Sequence, residues 1–260
     1  MRHTRTSMAA TSSSGFERTA RLCAEAALFM RDHVLSRVSH DLRSPLNAIH
    51  SWAYVLERKV DTADATAQRA LGGIRTGVEQ QVQLLEQMVD TTRSETRHLR
   101  IERKPFVLRE VVEATLADVR VALADARGVT LAARHALRGE TVVGDRERCA
   151  QALWLMLVFA VEASARGATV SLDVSLEGGF AQCAVAFDAS AGALTDEAQP
   201  HLLEAFARTQ AAGPQENGRS AWVLALCQRV AEAHGGRFGQ HPPEDGAPGT
   251  LTLGVPLGPA

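Results

Sequence analysis

An apolar residue recurs at every seventh position between residues 28 and 56, and this stripe limits the possible folds more than any other feature of the sequence. An apolar stripe that persists over several heptads needs a partner helix to cover it. The region therefore predicts a bundle or coiled-coil helix rather than a lone surface helix. The stripe consists of Leu28, Leu35, Leu42, Ile49 and Leu56, with Val38, Pro45 and Trp52 three positions after members of the series.

A second helical stretch follows a break in the pattern between residues 59 and 64. Two helices joined by a short turn form an antiparallel hairpin. A single hairpin cannot cover both stripes, so we expect dimerisation into a four-helix bundle. The apolar positions of the second helix are Leu71, Val78 and Leu85, with Ile74 and Met88 three residues after two of them.

The apolar pattern changes its period after a charged linker at residues 99–105. Apolar and polar residues then alternate in three segments, which predicts strands with one buried face. Helical patterns lie among these strands, so the fold class is α+β. The predicted domains are a disordered lead-in at 1–14, a dimerisation domain at 15–98 and an α+β domain at 106–260. The predicted strands lie at 170–176, 183–187 and 251–255, and the predicted helices at 108–124, 146–164, 197–208 and 221–234.

Composition excludes several classes of function. The 260 residues carry 28 basic and 30 acidic side chains, and this balance gives no general attraction to nucleic acid or anionic lipid. No run of about 18 apolar residues is present, so we expect no membrane span and a cytoplasmic location. The four cysteines are far apart and lack zinc-site spacing, so we predict no metal site and buried thiols in a reducing compartment. They are Cys23, Cys149, Cys183 and Cys227.

The segment Ser39–Leu46 on the first helix carries the clearest chemical signal. His40 lies about 140–160° from the apolar stripe at roughly 100° per residue, so it faces solvent. A solvent-facing histidine on a helix is usually inert. Here Asp41 offers a carboxylate that could hold one ring proton and leave the other nitrogen nucleophilic. Pro45 lacks an N–H group and predicts a kink one turn further on.

This segment resembles the dimerisation and phosphoacceptor domain of sensor histidine kinases. The family's H-box, roughly S-H-E/D-L-R-T/S-P-L, is matched at every position by residues 39–46. The resemblance implies that His40 carries a phosphoryl group on a ring nitrogen, with Asp41 as its acid/base neighbour. Ser44 corresponds to the residue that orients a water for dephosphorylation.

The resemblance continues into the second domain and covers about residues 28 to 256. Phe106–Val112 is similar to the opening helix of the family's ATP-binding domain, and Gly144-Asp145-Arg146 to the turn before its nucleotide-site helix. This likeness implies an α/β sandwich of the GHKL (Bergerat) ATPase type. The chain also resembles phosphotransferases that derive from histidine kinases and have lost ATP binding.

The nucleotide-site helix departs from the family pattern. The family has two asparagines there, and the second coordinates Mg²⁺, whereas this chain has Leu155 and Phe159 at those positions. Magnesium requires oxygen ligands, and neither side chain supplies one. Glu162 stands where a lysine is common. The sequence therefore predicts an impaired metal site.

The remaining nucleotide motifs are partly retained. Asp188, which the family uses to accept the adenine amino group, and Gly192 are present, but Ser190 replaces a glycine. The final glycine box retains Gly218. Backbone N–H groups bind phosphate there when no Cβ blocks the approach. Ala221 and Val223 introduce such carbons. ATP and Mg²⁺ are therefore expected cofactors only if this altered site works.

Three hypotheses follow. In the first, a dimeric two-component protein passes a phosphoryl group between His40 and the aspartate of a response-regulator receiver domain. In the second, the protein is an active ATP-dependent protein-histidine kinase. In the third, it is a catalytically silent module that forms heterodimers with another kinase and regulates it. The expected partners are a receiver domain, a second copy and a separate sensor or kinase.

Overall fold

The computed structural model describes residues 3–61, 64–96, 99–213, 221–242 and 247–258, with side chains described from residue 15 and not for 88–96. The chain forms two compact units. One contains residues 31–98, and the other contains residues 1–30 together with 99–260. The division falls after Met30, whereas the sequence predicted a boundary at residue 15. The reason is that residues 15–30 bury an apolar face within the α/β unit.

Two long helices form the helical unit, and the first of them begins outside it. Helix α1 spans His3–Glu57 and α2 spans Ala65–Thr96. The break predicted at 59–64 is confirmed, and Asp64 caps α2 by accepting the N–H groups of Thr66 and Ala67 at 3.0 and 2.9 Å. Helix α1 already includes residues 3–14, which were predicted to be a disordered lead-in. No proline precedes Pro45, so nothing breaks the helix earlier.

The α/β unit is a two-layer sandwich, as the α+β prediction required. The five-stranded sheet has the order β2-β4-β5-β7-β6, with β2 and β4 parallel and the other pairs antiparallel. A separate ribbon pairs β1 with β3. The strands are β1 (Lys104–Val107), β2 (Thr130–His135), β3 (Thr141–Gly144), β4 (Thr169–Glu177), β5 (Phe180–Phe187), β6 (Arg237–His241) and β7 (Gly249–Pro256).

The helical layer centres on α5, which contacts the sheet and is buried at every residue from Cys149 to Ala163. Helices α3 and α7 pack on either side of it. The buried residues of β4, β5 and β7 alternate with less buried ones, and this alternation determines which sheet face meets the helices. The helices are α3 (Leu108–Val119), continued by a π-helical turn (Arg120–Ala124) and α4 (Asp125–Arg127), α5 (Arg146–Ala163), α6 (Ala205–Ala212), and α7 (Ala225–His234) after a 3₁₀ turn (Trp222–Leu224).

The helix predicted from residue 108 begins at Leu108 as expected, and residues 104–107 before it pair with β3 as strand β1, which was not predicted. One predicted helix boundary is wrong. The helix predicted at 197–208 exists only from Ala205, since Glu162 takes the backbone N–H groups of Leu202 and Leu203 that a helix would use. The predicted end of the last helix is confirmed, with Gly235 in the left-handed conformation at φ 75°.

Candidate functional site

His40 is exposed to solvent, as the sequence predicted. Its side chain is 79% exposed, and its Nδ1 lies 3.2 Å from the Oδ1 atom of Asp41. When Nδ1–H donates to that carboxylate, the free lone pair of the imidazole is on Nε2, on the side of the ring away from Asp41. This arrangement suits attack on an incoming electrophile.

The rest of the H-box lies on the same continuous helix. Ser44 is exposed one turn after His40, and Pro45 lies inside α1, where it removes one helical N–H. Arg43 donates to the Glu86 carboxylate of α2 at 3.0 Å, and this contact ties the H-box turn to the second helix of the hairpin. The helix turn that carries His40 is therefore held to α2 by this ion pair.

The apolar stripe of the helical unit is largely exposed. Val38, Leu42, Ile49, Trp52 and Leu56 are each more than 40% exposed. The hairpin therefore does not cover this stripe by itself, as the sequence predicted. A second helical surface is the partner that such a face requires.

The two positions of the nucleotide-site asparagines are part of the hydrophobic core. Leu155 is fully buried and Phe159 is 4% exposed. The Phe159 ring packs edge-on against Phe187, with centroids 5.9 Å apart. This part of α5 therefore offers packing contacts in place of oxygen ligands.

Glu162 has a structural role at the position where the family commonly has lysine. Its buried carboxylate accepts the N–H groups of Leu202 and Leu203 at 2.7 and 3.0 Å. It also lies 2.7 Å from the Nδ1 atom of His201, whose Nε2 lies 2.9 Å from the backbone oxygen of Asp196. Both ring nitrogens of His201 therefore face oxygen atoms. The cluster pins the segment before α6 against α5.

Two backbone N–H groups in the described part of the glycine box are occupied by side chains of the protein itself. The N–H of Ala221 donates to Gln240 Oε1 at 2.7 Å, and that of Trp222 donates to Gln210 Oε1 at 2.9 Å. Ala221 and Val223 are buried. The two glutamine oxygens thus take two backbone donors of the kind that bind phosphate. No local sequence pattern indicates either glutamine, because Gln240 reaches Ala221 from β6 and Gln210 reaches Trp222 from α6.

The structure describes only some of the residues that the chain retains from the family's nucleotide motifs. Asp188 is exposed at the end of β5, and Gly192 occupies a turn with φ 83° that favours glycine. Ser190 donates its backbone N–H to the Ala163 oxygen, which closes the loop onto the end of α5. Gly218 lies outside the described residues.

The cysteines carry no disulfide and no metal signature. All four are free thiols, and within the described ranges no group of three His, Cys, Asp or Glu side chains could hold a metal ion. Burial raises the pKa of Cys23 to about 11 and that of Cys149 and Cys183 to about 12. These groups are therefore protonated packing residues, as predicted for Cys149, Cys183 and Cys227, while Cys23 is only partly buried.

Comparison with known proteins identifies the family. The profile of the His Kinase A (phospho-acceptor) domain matches residues 30–97. A crystal structure of a histidine kinase from Burkholderia phymatum STM815 is 51% identical, with a TM-score of 0.78 over 94% of this chain and 99% of that one. The chain belongs to the histidine kinase family. Its two parts are therefore a histidine-kinase helical hairpin and a GHKL-type α/β domain.

Two curated relatives in this family are longer proteins. The signal transduction histidine-protein kinase BaeS of Escherichia coli (strain K12) is 26% identical over 88% of this chain and 47% of its own length. The histidine protein kinase DivJ of Caulobacter vibrioides (strain ATCC 19089 / CIP 103742 / CB 15) is 30% identical over 84% of this chain and 36% of its own length. The chain thus spans less than half of either kinase. Among the helices of the described ranges, none is long and apolar enough to cross a bilayer.

Proposed function

We propose that the protein transfers phosphoryl groups in a two-component system, with His40 as the phosphoacceptor and a receiver-domain aspartate as its partner. The observation that carries this proposal is an exposed His40 beside Asp41 on an intact H-box, in a chain whose nucleotide helix presents Leu155 and Phe159. In support, the chain has every residue of the family's phosphoacceptor box, whereas Leu155 and Phe159 offer no oxygen ligand for Mg²⁺.

The transfer step follows from the geometry at His40. The Nε2 lone pair attacks the phosphorus of an aspartyl phosphate, a P–N bond forms, and the P–O bond to the receiver aspartate breaks to release its carboxylate. The Asp41 carboxylate faces Nδ1 and stabilises the positive charge that develops on the ring. The reverse step returns the phosphoryl group to the aspartate. Ser44, exposed one turn away, is the proposed group for orienting a hydrolytic water.

We also propose that two copies form the four-helix bundle expected from the sequence. The exposed stripe that includes Leu42, Ile49 and Trp52 is the proposed interface. Burial of this stripe would supply the hydrophobic stabilisation that one hairpin lacks. The free thiols are consistent with a reducing compartment, which we propose to be the cytoplasm.

An active ATP-dependent kinase is the second candidate, and the retention of Asp188 and Gly192 favours it. Isothermal calorimetry with Mg-ATP separates the two functions. We expect no binding at millimolar nucleotide. Tight binding together with labelling of His40 from radiolabelled ATP would establish the kinase instead.

The transfer itself is tested with receiver domains of the same genome that have been phosphorylated by acetyl phosphate. We expect label to move from receiver to protein as an acid-labile, alkali-stable phosphohistidine. The His40→Gln variant should remain unlabelled, while Ser44→Ala should accept label and lose it more slowly. If transfer is absent across the receivers or unchanged in His40→Gln, the proposed function is wrong. A silent heterodimerising module would show the first of these results.

A further inference from the structure

The first part of α1 packs on the α/β unit through a defined apolar face. Leu22, Ala26, Phe29 and Met30 are each less than 9% exposed, whereas Leu28 is 43% exposed. The buried positions follow the spacing i, i+4, i+7 and i+8, which is the pattern of an amphipathic helix bound in a groove. This face is different from the heptad stripe that begins at Leu28.

The floor of the groove is formed by the start of α6 and by the glycine box, and the family resemblance assigns the glycine box to the nucleotide site. Cys23, Ala26 and Met30 face Leu203 and Ala207 around the start of α6, and Val223 of the glycine box. The space left among these side chains is about 10 Å³, too small to hold an ordered water comfortably. Small residues at 23, 26 and 27 allow the helix backbone to approach this closely.

A polar row beside the apolar face contacts the nucleotide-site helix α5. The Glu25 carboxylate accepts from Arg148 Nη1 and from Gln151 Nε2, each at 2.8 Å. Arg21 pairs with Glu147. Arg18 adds a 3.1 Å ion pair with Asp118 of α3. The charges of the helix are therefore complementary to those of the groove wall.

Gln151 lies one turn before Leu155, and the spacing of four residues continues to Phe159. These three positions consequently share one face of α5. Helix α1 contacts this face at Gln151, the α6 segment at Leu203 and Ala207, and the glycine box at Val223. The nucleotide-site helix α5, the start of α6 and the glycine box thus all contact one helix.

We propose that this cleft is a binding groove for an amphipathic helix, occupied by residues 18–30 of α1, in place of a nucleotide pocket. The groove takes small apolar side chains at its floor and a carboxylate at Arg148 and Gln151. The inference rests on the same altered site as the proposed function, but it concerns what fills the cleft and involves no phosphoryl transfer.

Cys23 reports docking of the helix, because burial against the groove raises the pKa of its thiol to about 11. Undocking would expose this thiol and restore an ordinary pKa. The test compares Ala26→Arg, which places a guanidinium in the buried face, with Ala24→Arg on the exposed face of the same helix turn. Labelling of Cys23 by a maleimide at pH 7.5 is followed by mass spectrometry of its peptide.

We expect Ala26→Arg to label at least about tenfold faster than the wild type, because an unpaired buried guanidinium strongly disfavours the docked state. Ala24→Arg should label at the wild-type rate, and Arg148→Ala should show a smaller increase. A folded Ala26→Arg protein with an unchanged rate overturns the proposal, as does an equal increase in Ala24→Arg.

Hydrogen exchange on the wild-type protein gives a second test that does not depend on the folding of a variant. Amides of residues 18–30 should exchange as slowly as those of α5, because both would open only with the α/β unit. Exchange of residues 18–30 at least about a hundredfold faster than α5 would show that the helix does not occupy the groove. Since neither experiment uses a receiver or a nucleotide, this proposal and the transfer function can fail separately.

Discussion

Replacement of Glu162 by alanine tests whether its carboxylate holds the segment before α6 against α5. The side chain is fully buried and accepts two backbone N–H groups at 2.7 and 3.0 Å, with His201 Nδ1 at 2.7 Å. Hydrogen bonds to a charged group contribute about 1.5–3 kcal/mol each. Breaking a buried pair by removing one partner costs about 3–5 kcal/mol. We therefore expect Glu162→Ala to lower the free energy of unfolding by about 3–5 kcal/mol.

Urea denaturation monitored by tryptophan fluorescence provides the assay, since Trp154 is buried on the same helix. With a slope of about 2 kcal/mol per molar urea, the midpoint should fall by about 1.5–2.5 M. Glu162→Gln keeps one acceptor oxygen, so its urea midpoint should lie between those of the alanine variant and the wild type. Glu177→Ala, on an exposed strand position, should change stability by no more than about 0.5 kcal/mol. A loss below about 1 kcal/mol in Glu162→Ala would refute this account of the carboxylate.

Three further predictions concern packing, pH and assembly. Gly144→Ala should cost about 1–3 kcal/mol in chemical denaturation, because the new Cβ would lie 2.8 Å from His234 Cδ2, whereas Gly139→Ala meets open space and should be tolerated. Burial raises the pKa of the Cys149 and Cys183 thiols to about 12, so the unfolded chain loses these protons at lower pH than the folded protein does. The free energy of unfolding should therefore fall as pH rises from about 9 towards 12, by up to about 1.4 kcal/mol per thiol per pH unit. Cys183→Ala should reduce this pH dependence, and an unchanged dependence would contradict the reasoning. Leu42→Asp should convert a dimer to a monomer in light scattering, whereas Gln83→Asp should not.

The sequence predicted those parts of the fold in which local pattern and tertiary burial agree. Strands β4, β5 and β7 lie in the middle of the sheet and alternate because one face packs on helices. Strands β2 and β6 form the sheet edges, where burial is incomplete and alternation is weak. The short ribbon of β1 and β3 was missed for a similar reason.

The candidate site shows the same division between local and long-range information. His40 and its H-box are contiguous in sequence, so their pattern was readable. The capture of Ala221 and Trp222 N–H groups by Gln240 and Gln210 depends on distant residues and leaves no local pattern. The helix break caused by Glu162 is equally non-local, since the carboxylate acts on residues about forty positions later.

We propose that His40 exchanges phosphoryl groups with a receiver and that it is not phosphorylated from ATP. The most direct measurement offers the wild-type protein and His40→Gln two radiolabelled donors in parallel, Mg-ATP and a phosphorylated receiver domain. The account predicts alkali-stable label on the wild type from the receiver alone, and none on His40→Gln. Labelling of His40 from Mg-ATP, or receiver-derived label that persists in His40→Gln, would contradict it.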